Sequence, residues 1–303
     1  MRRALQLARN GEGRVSPNPM VGAVIVHGDR IIGEGFHANY GEAHAEVNAI
    51  NSVKESDREL LKDSKIYVTL EPCAHYGKTP PCANLIVDSG IRDVVIGSLD
   101  PNPLVAGKGV KILTDAGVSV KVGILENDCM ELNRRFMKAQ MSDIPWITLK
   151  WAQSKDGFLG GYNKTGDMIP VKFSSPVSSV WVHRERALSD AIMIGGNTER
   201  TDHPRLDNRL WGGNSPKKVV AHFNKDIKTQ LKELRKEGIT SLLVEGGASL
   251  LQYFLDNDLY DEIRVETNPA CLNDGVRTPK MPSHLIRIAN ERCGDNYVET
   301  FRR

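Results

Sequence analysis

His44, Glu46, Cys73 and Cys82 are the residues of this chain whose types and spacing can do chemistry. One imidazole and two thiolates are borderline-to-soft ligands that suit tetrahedral Zn²⁺ and leave its fourth position to water, as a catalytic site requires. Glu46 lies two residues beyond the histidine, near enough to move a proton without itself coordinating. A lone Cys is often a small buried hydrophobe and a lone His a satisfied core residue. Here a Glu stands at a fixed offset from the His and each Cys follows a Pro, so a catalytic metal is the reading. A structural zinc would bring a fourth Cys or His. Cys129, the only later Cys in this half, sits in a helical pattern (LENDCMELNRRF) and reads as core.

The elements that must hold these residues are legible around them. MRRALQLARNG is an amphipathic helix ended by Gly11, and VGAVIVH and RIIGEGF are strands joined at Gly28-Asp29, a hairpin signal. Apolar residues recur at helical spacing from His44 to Val53, so a helix starts at the His ligand. Strand 65–70 (KIYVTL) leads into a loop with Cys73, and Pro81 opens a helix with Cys82 in its first turn, where the helix dipole is expected to favour the thiolate. Strand 93–98, helix 108–115, strand 118–123 and helix 125–140 complete an alternating unit, predicted as a three-layer α/β domain around a mixed sheet.

Composition narrows the partners. The 40 basic and 38 acidic side chains nearly cancel, to a net charge of +2, and are interspersed, so no basic face for nucleic acid or anionic membrane is expected. No apolar run reaches membrane-span length, and the first helix is not a signal peptide. Five cysteines, two of them committed to metal, point to a reducing, cytoplasmic setting. A small-molecule partner and a homo-oligomer are the expectations.

Asp143 to Pro145 marks a boundary, giving domains 1–142 and 143–303. Beyond it WITLKW opens a second α/β set with strands at 190–194, 217–220, 241–244 and 261–266. Val244-Glu245-Gly246-Gly247-Ala248 joins a buried strand to a helix through two glycines, whose backbone N–H groups can hold a phosphate or simply make a tight turn. It is not the GxGxxG dinucleotide fingerprint.

The His-x-Glu…Pro-Cys arrangement is that of zinc deaminases. Over nearly its whole length the chain resembles the bifunctional riboflavin-biosynthesis deaminase/reductase family. The resemblance rests on Ser16-Pro17-Asn18-Pro19 with VGAVIV, the His44-Ala45-Glu46 triplet, TLEPCAHYGKTPPC from Thr69 to Cys82, and Asp100-Pro101-Asn102-Pro103 with Val105-Ala106-Gly107. It implies a cytidine-deaminase-like domain that removes the 2-amino group of a diaminopyrimidinone bearing a phosphoribosylamino arm. A dihydrofolate-reductase-like domain would then use NADPH to reduce the ribose to a ribityl chain.

By the same resemblance Asn18, His75, Lys78 and Asn102 bind the deaminase substrate. Lys150 and Glu245 act in the reductase, with Arg186, Arg205, Leu206 and Arg209 on its substrate and Gln153, Thr198, Asp202, Gly246, Gly247 and Ala248 on its cofactor. Lys155 replaces a family Leu, and Lys172-Phe173 stands where the family has a WIT tryptophan. The second domain is also short by several tens of residues, concentrated between Val219 and Phe223, where a missing segment is expected. These departures motivate the alternative of a deaminase whose C-terminal domain serves only oligomerisation or substrate binding.

Overall fold

The computed structural model describes residues 1–76, 80–103, 105–166 and 168–303. It divides into two compact units, Met1–Ser142 and Asp143–Arg303.

The first unit begins with helix α1 (Arg2–Ala8), which buries Ala4, Leu5, Leu7 and Ala8, an i, i+3, i+4 stripe. Strands β1 (Gly22–His27) and β2 (Arg30–Phe36) form the hairpin, with Gly28 at a φ of 55° in its turn. Helix α2 (Ala45–Asn51), β3 (Lys65–Leu70), α3 (Cys82–Asp88), β4 (Asp93–Ser98), α4 (Lys108–Asp115) and β5 (Ser119–Val122) follow. The sheet order is β2-β1-β3-β4-β5, antiparallel across β1 and parallel from β3 to β5. Ile25, Ile66, Val68, Ile86, Ile96 and Leu113 form its dry core between sheet and helices. Burying side chains of this size stabilises by about 1.5 to 3 kcal/mol each. The three-layer mixed sheet is the architecture the alternating pattern predicts.

One predicted helix is two. The stretch 125–140 forms α5 (Glu126–Leu132) and α6 (Arg134–Met141), broken at Asn133. Asn133 has φ −109°, outside the helical range, and its buried amide accepts from the Met20 N–H and donates to the Met20 carbonyl, each at 2.8 Å. That tertiary pairing outweighs local helical propensity. Cys129 is buried, as the helical pattern implies.

The second unit contains β6 (Trp146–Ser154), β7 (Phe158–Tyr162), β8 (Met168–Pro170), α7 (Pro176–Ala187), β9 (Ala191–Gly195), α8 (Gly196–Asp202), β10 (Lys217–Ala221), α9 (Ile227–Lys236), β11 (Ser241–Val244), α10 (Ala248–Asp256), β12 (Glu262–Asn268), β13 (Val276–Arg277), β14 (Ile286–Cys293) and β15 (Asn296–Arg302). Its main sheet runs β10-β9-β11-β6-β12-β15-β14, parallel through β12 and antiparallel beyond. A smaller sheet orders β13-β7-β8. The β14–β15 pair is not foreseen from the sequence because its pattern is polar: much of β14 is exposed at this sheet edge.

Between 219 and 229 this chain passes from β10 directly into α9. Val219, Val220 and Ala221 complete β10, the His222 carbonyl accepts the Lys225 N–H at 3.1 Å, and Asp226 caps α9 by accepting the Thr229 N–H at 2.8 Å. No strand intervenes, so the sheet ends on β10.

Candidate active sites

In the first unit three separate elements deliver the metal-binding side chains. His44 is the N-cap of α2, in extended conformation at φ −73° and ψ 166°. Cys73 follows the end of β3, and Cys82 is the first residue of α3 behind Pro81. Their donor atoms, Nδ1 and two Sγ, all lie within 4.8 Å of one another. The Cys73 Sγ is 3.6 Å and the Cys82 Sγ 3.4 Å from the His44 Nδ1. A tetrahedral zinc with its usual Zn–N and Zn–S bonds requires an N···S edge of about 3.5 Å. The donor set therefore fits the ion in both chemistry and spacing.

The helix start acts on a different sulfur from the one expected. The Cys82 N–H donates to the Cys73 Sγ at 3.2 Å instead of serving its own thiol. Without metal, contacts with Cys82 and His44 outweigh burial and draw the Cys73 thiol down to about 4. The charge beside it, together with burial, pushes the Cys82 thiol up. One negative charge at this site makes a second costly until a cation arrives.

Glu46 lies in the first turn of α2 and is only 3% exposed. Burial, reinforced by Cys73, raises its carboxyl to about 7, the range in which one group can both accept and return a proton near neutrality. His37, which the sequence reading did not single out, is buried with its ring 5.3 Å from that of His44. The Asn18 amide lies 3.1 Å from His37 Nε2, and His37 Nδ1 is 3.1 Å from the Ala43 carbonyl. Burial is the main force holding the His37 pKa low, so Nδ1–H donates to Ala43 and Nε2 accepts from Asn18. Asn18 thus orients a histidine in this structure.

His75 is exposed, and its charge acts on Asp100 against burial, which raises that carboxyl. The Asn102 N–H donates to Asp100 Oδ1 at 2.8 Å. Lys78 lies outside the described residues. Glu71, quoted above only as part of a motif, accepts four backbone N–H bonds from 100–110.

The second unit gathers charge where parallel strands end. Val244 ends β11 opposite Leu149, so Glu245 follows that strand level with Lys150, which lies midway along the neighbouring β6. Burial alone would push the Glu245 carboxyl up, but Lys150 and Arg186 together hold it below its ordinary value. The Lys150 Nζ is 4.0 Å from Glu266, a buried carboxylate that also accepts from Ser174 at 2.7 Å and Asn296 at 2.5 Å. Lys150, Trp181, Glu185, Glu245, Arg264 and Glu266 line one cleft.

The expected anion-binding arginines are engaged within the protein. Arg186 pairs with Glu245 and donates to the Asp207 carbonyl at 3.2 Å. Arg205 and Arg209 both reach the Asp207 carboxylate, at 2.9 and 2.5 Å. Leu206, at a φ of 53°, packs its side chain against Ile192, Ile194 and Leu243, so it offers a ligand no side chain. Gly246 sits at φ 116°, a conformation that favours glycine, and Thr198 Oγ1 accepts the Gly247 N–H at 3.0 Å. Ala248 begins α10. Gln153 accepts the Trp151 indole N–H at 2.8 Å, and Asp202 closes α8 with its carboxylate exposed beside Thr201.

Comparison with known proteins agrees with this division. The cytidine and deoxycytidylate deaminase zinc-binding region matches residues 1–98, and the RibD C-terminal domain matches 145–284. The riboflavin biosynthesis protein RibD of Aquifex aeolicus is 35% identical over an alignment covering 100% of this chain and 97% of that protein. That of Bacillus amyloliquefaciens is 36% identical, covering 93% and 87%. A diaminohydroxyphosphoribosylaminopyrimidine deaminase of Buchnera aphidicola is 50% identical over 48% of this chain and 96% of its own length. The crystal structure of a diaminohydroxyphosphoribosylaminopyrimidine deaminase/5-amino-6-(5-phosphoribosylamino)uracil reductase from Thermotoga maritima superposes with a TM-score of 0.88 at 32% identity, covering 100% of this chain and 97% of that one.

Proposed function

The chain belongs to the RibD family of riboflavin-biosynthesis enzymes, and from that premise we propose how its two units divide the work. The first deaminates 2,5-diamino-6-(5-phosphoribosylamino)pyrimidin-4(3H)-one, and the second reduces the ribosyl group of the product to ribityl with NADPH. The observation that carries the reading is the convergence of His44, Cys73 and Cys82 at tetrahedral spacing beside the buried Glu46.

His44, Cys73 and Cys82 would hold zinc, whose Lewis acidity makes water a nucleophile at neutral pH. Glu46 takes the two protons of the attacking water in turn, giving one to the adjacent ring nitrogen and one to the departing amino group, so the ring C–NH2 bond gives way to C=O and ammonia leaves. Asn102 and His75 engage the pyrimidine and its arm in this reading. In the second unit NADPH would supply the hydride. Lys150, between Glu245 and Glu266, supplies the balancing proton, and Arg205 and Arg209 exchange Asp207 for the substrate phosphate. Five free cysteines, two of them metal ligands, suit a reducing, cytoplasmic setting. No helix among the described residues is long and apolar enough to cross a membrane.

The test is incubation of the zinc-loaded protein with the diaminopyrimidinone, following ammonia release and then NADPH absorbance. Ammonia without NADPH, followed by NADPH consumption when it is added, is expected. Absence of ammonia overturns the reading, and ammonia without NADPH consumption leaves the deaminase with a non-catalytic partner domain.

A further inference from the structure

Glu71 lies two residues before the metal-binding Cys73, and its own N–H donates to the Ser98 carbonyl at 2.9 Å, extending the β3–β4 pairing past Leu70. Its side chain is 7% exposed and faces no cation among the contacts described. Instead, Oε2 accepts the N–H groups of Asp100 at 3.2 Å and Gly107 at 3.0 Å, while Oε1 accepts those of Gly109 at 2.8 Å and Val110 at 3.2 Å. One carboxylate thereby holds both ends of the loop that precedes α4.

The local sequence explains why a distant side chain is needed. The first N–H groups of a helix lack intrahelical acceptors. Gly107, the N-cap of α4 at φ 79°, has no side chain with which to cap them. Glu71 caps the helix from another element. Gly109 permits the approach, since a Cβ there would come within 2.1 Å of the Pro72 carbonyl oxygen and 3.2 Å of Glu71 Oε1. Inside the loop, Asn102 is fixed by its N–H to Asp100, and its carbonyl accepts the N–H groups of Val105 and Ala106, both at 2.8 Å.

We propose that Glu71 is a positioning residue for the deaminase reaction: it locks the Asn102 loop to the segment carrying Cys73, so that the groups gripping the substrate keep a fixed distance from the metal centre. The proposal rests on the deaminase reading for the role of Asn102. Four donors converge on two oxygens, so an isosteric amide cannot substitute. Its nitrogen would point N–H groups at N–H groups and leave buried donors unpaired.

The experiment compares Glu71→Gln, Gly109→Ala, Asn102→Ala and the Glu71→Gln/Asn102→Ala double variant with the parent, all in the full chain and zinc-loaded. Zinc content by atomic absorption and steady-state ammonia release are the readouts, and parent turnover tests the deaminase reading separately. We expect zinc at parental stoichiometry, KM raised about tenfold or more in Glu71→Gln with a smaller change in kcat, and little added effect of Glu71→Gln once Asn102 is gone. Gly109→Ala keeps the carboxylate but wedges α4 away, and should raise KM in the same way. An unchanged KM in Glu71→Gln and Gly109→Ala, or fully additive effects in the double variant, overturns the proposal. Should Glu71→Gln not fold, the Gly109→Ala variant decides by the same KM criterion.

Discussion

Arg186 and Glu245 meet as a bidentate pair: Nε donates to Oε1 at 3.1 Å and Nη2 to Oε2 at 2.6 Å. Both side chains are largely buried, at 14% and 8% exposure. Removing one member of such a pair strands the other charge in a poorly solvated place. Arg186→Ala should therefore destabilise the second unit by about 3 to 5 kcal/mol in urea denaturation. The Arg186→Met/Glu245→Gln double variant should lose less than Arg186→Ala alone. Equal losses would show that the pair is not coupled.

Glu46→Gln keeps the size of the side chain and removes its titrating group. Deamination should fall by about 10² to 10⁴-fold with zinc content unchanged, as measured by ammonia release and metal analysis. Turnover near the parental rate would remove Glu46 from its proton-transfer role.

Chelation distinguishes the two units. Stripping zinc should abolish ammonia release while leaving NADPH consumption intact on substrate that has already been deaminated, because the proposed metal ligands all lie in Met1–Ser142. A parallel loss of both activities would mean that the second unit depends on the metal.

Asp156 provides a pH test of stability. Its carboxylate accepts the Leu272 N–H at 3.1 Å and the Asn273 N–H at 2.7 Å. The Ser154 hydroxyl and these two N–H groups hold it down to about 2. A depressed carboxyl pKa contributes stability above its unfolded value, and that contribution disappears as pH falls through the folded value. Asp156→Asn should therefore lower Tm at neutral pH. The gap to the parent should close between pH about 4, the ordinary value for Asp, and about 2. A gap that persists at the acid end would assign the effect to packing.

Asn133 satisfies both backbone groups of Met20. Asn133→Ala leaves the half-buried Met20 N–H and carbonyl without their partner and should cost roughly 1 to 3 kcal/mol, read from the denaturation midpoint. A cost below 1 kcal/mol would mean that water replaces the amide.

The metal site was readable in one dimension because coordination demands particular atoms. His44, Glu46, Cys73 and Cys82 are few, chemically unlike their neighbours, and placed at element boundaries that local pattern reveals. The hydrophobic pattern of the first unit was equally legible, since central strands buried on both faces read as continuous apolar runs and helices with an apolar stripe carry their own period. What folding alone decided are the contacts made by ordinary polar residues across long separations. Nothing in a lone Glu or Asn tells which distant N–H groups it will satisfy, so Glu71 read as motif filler and Asn133 as mid-helix. For the same reason the sequence marks Arg186 as an anion site by its type alone, and only the fold shows that it pairs with Glu245. Where the helix-start N–H of Cys82 points was likewise a matter of three-dimensional placement. A sequence displays a residue's chemistry, but its partner is chosen by the burial that makes an unsatisfied polar group too costly to leave alone.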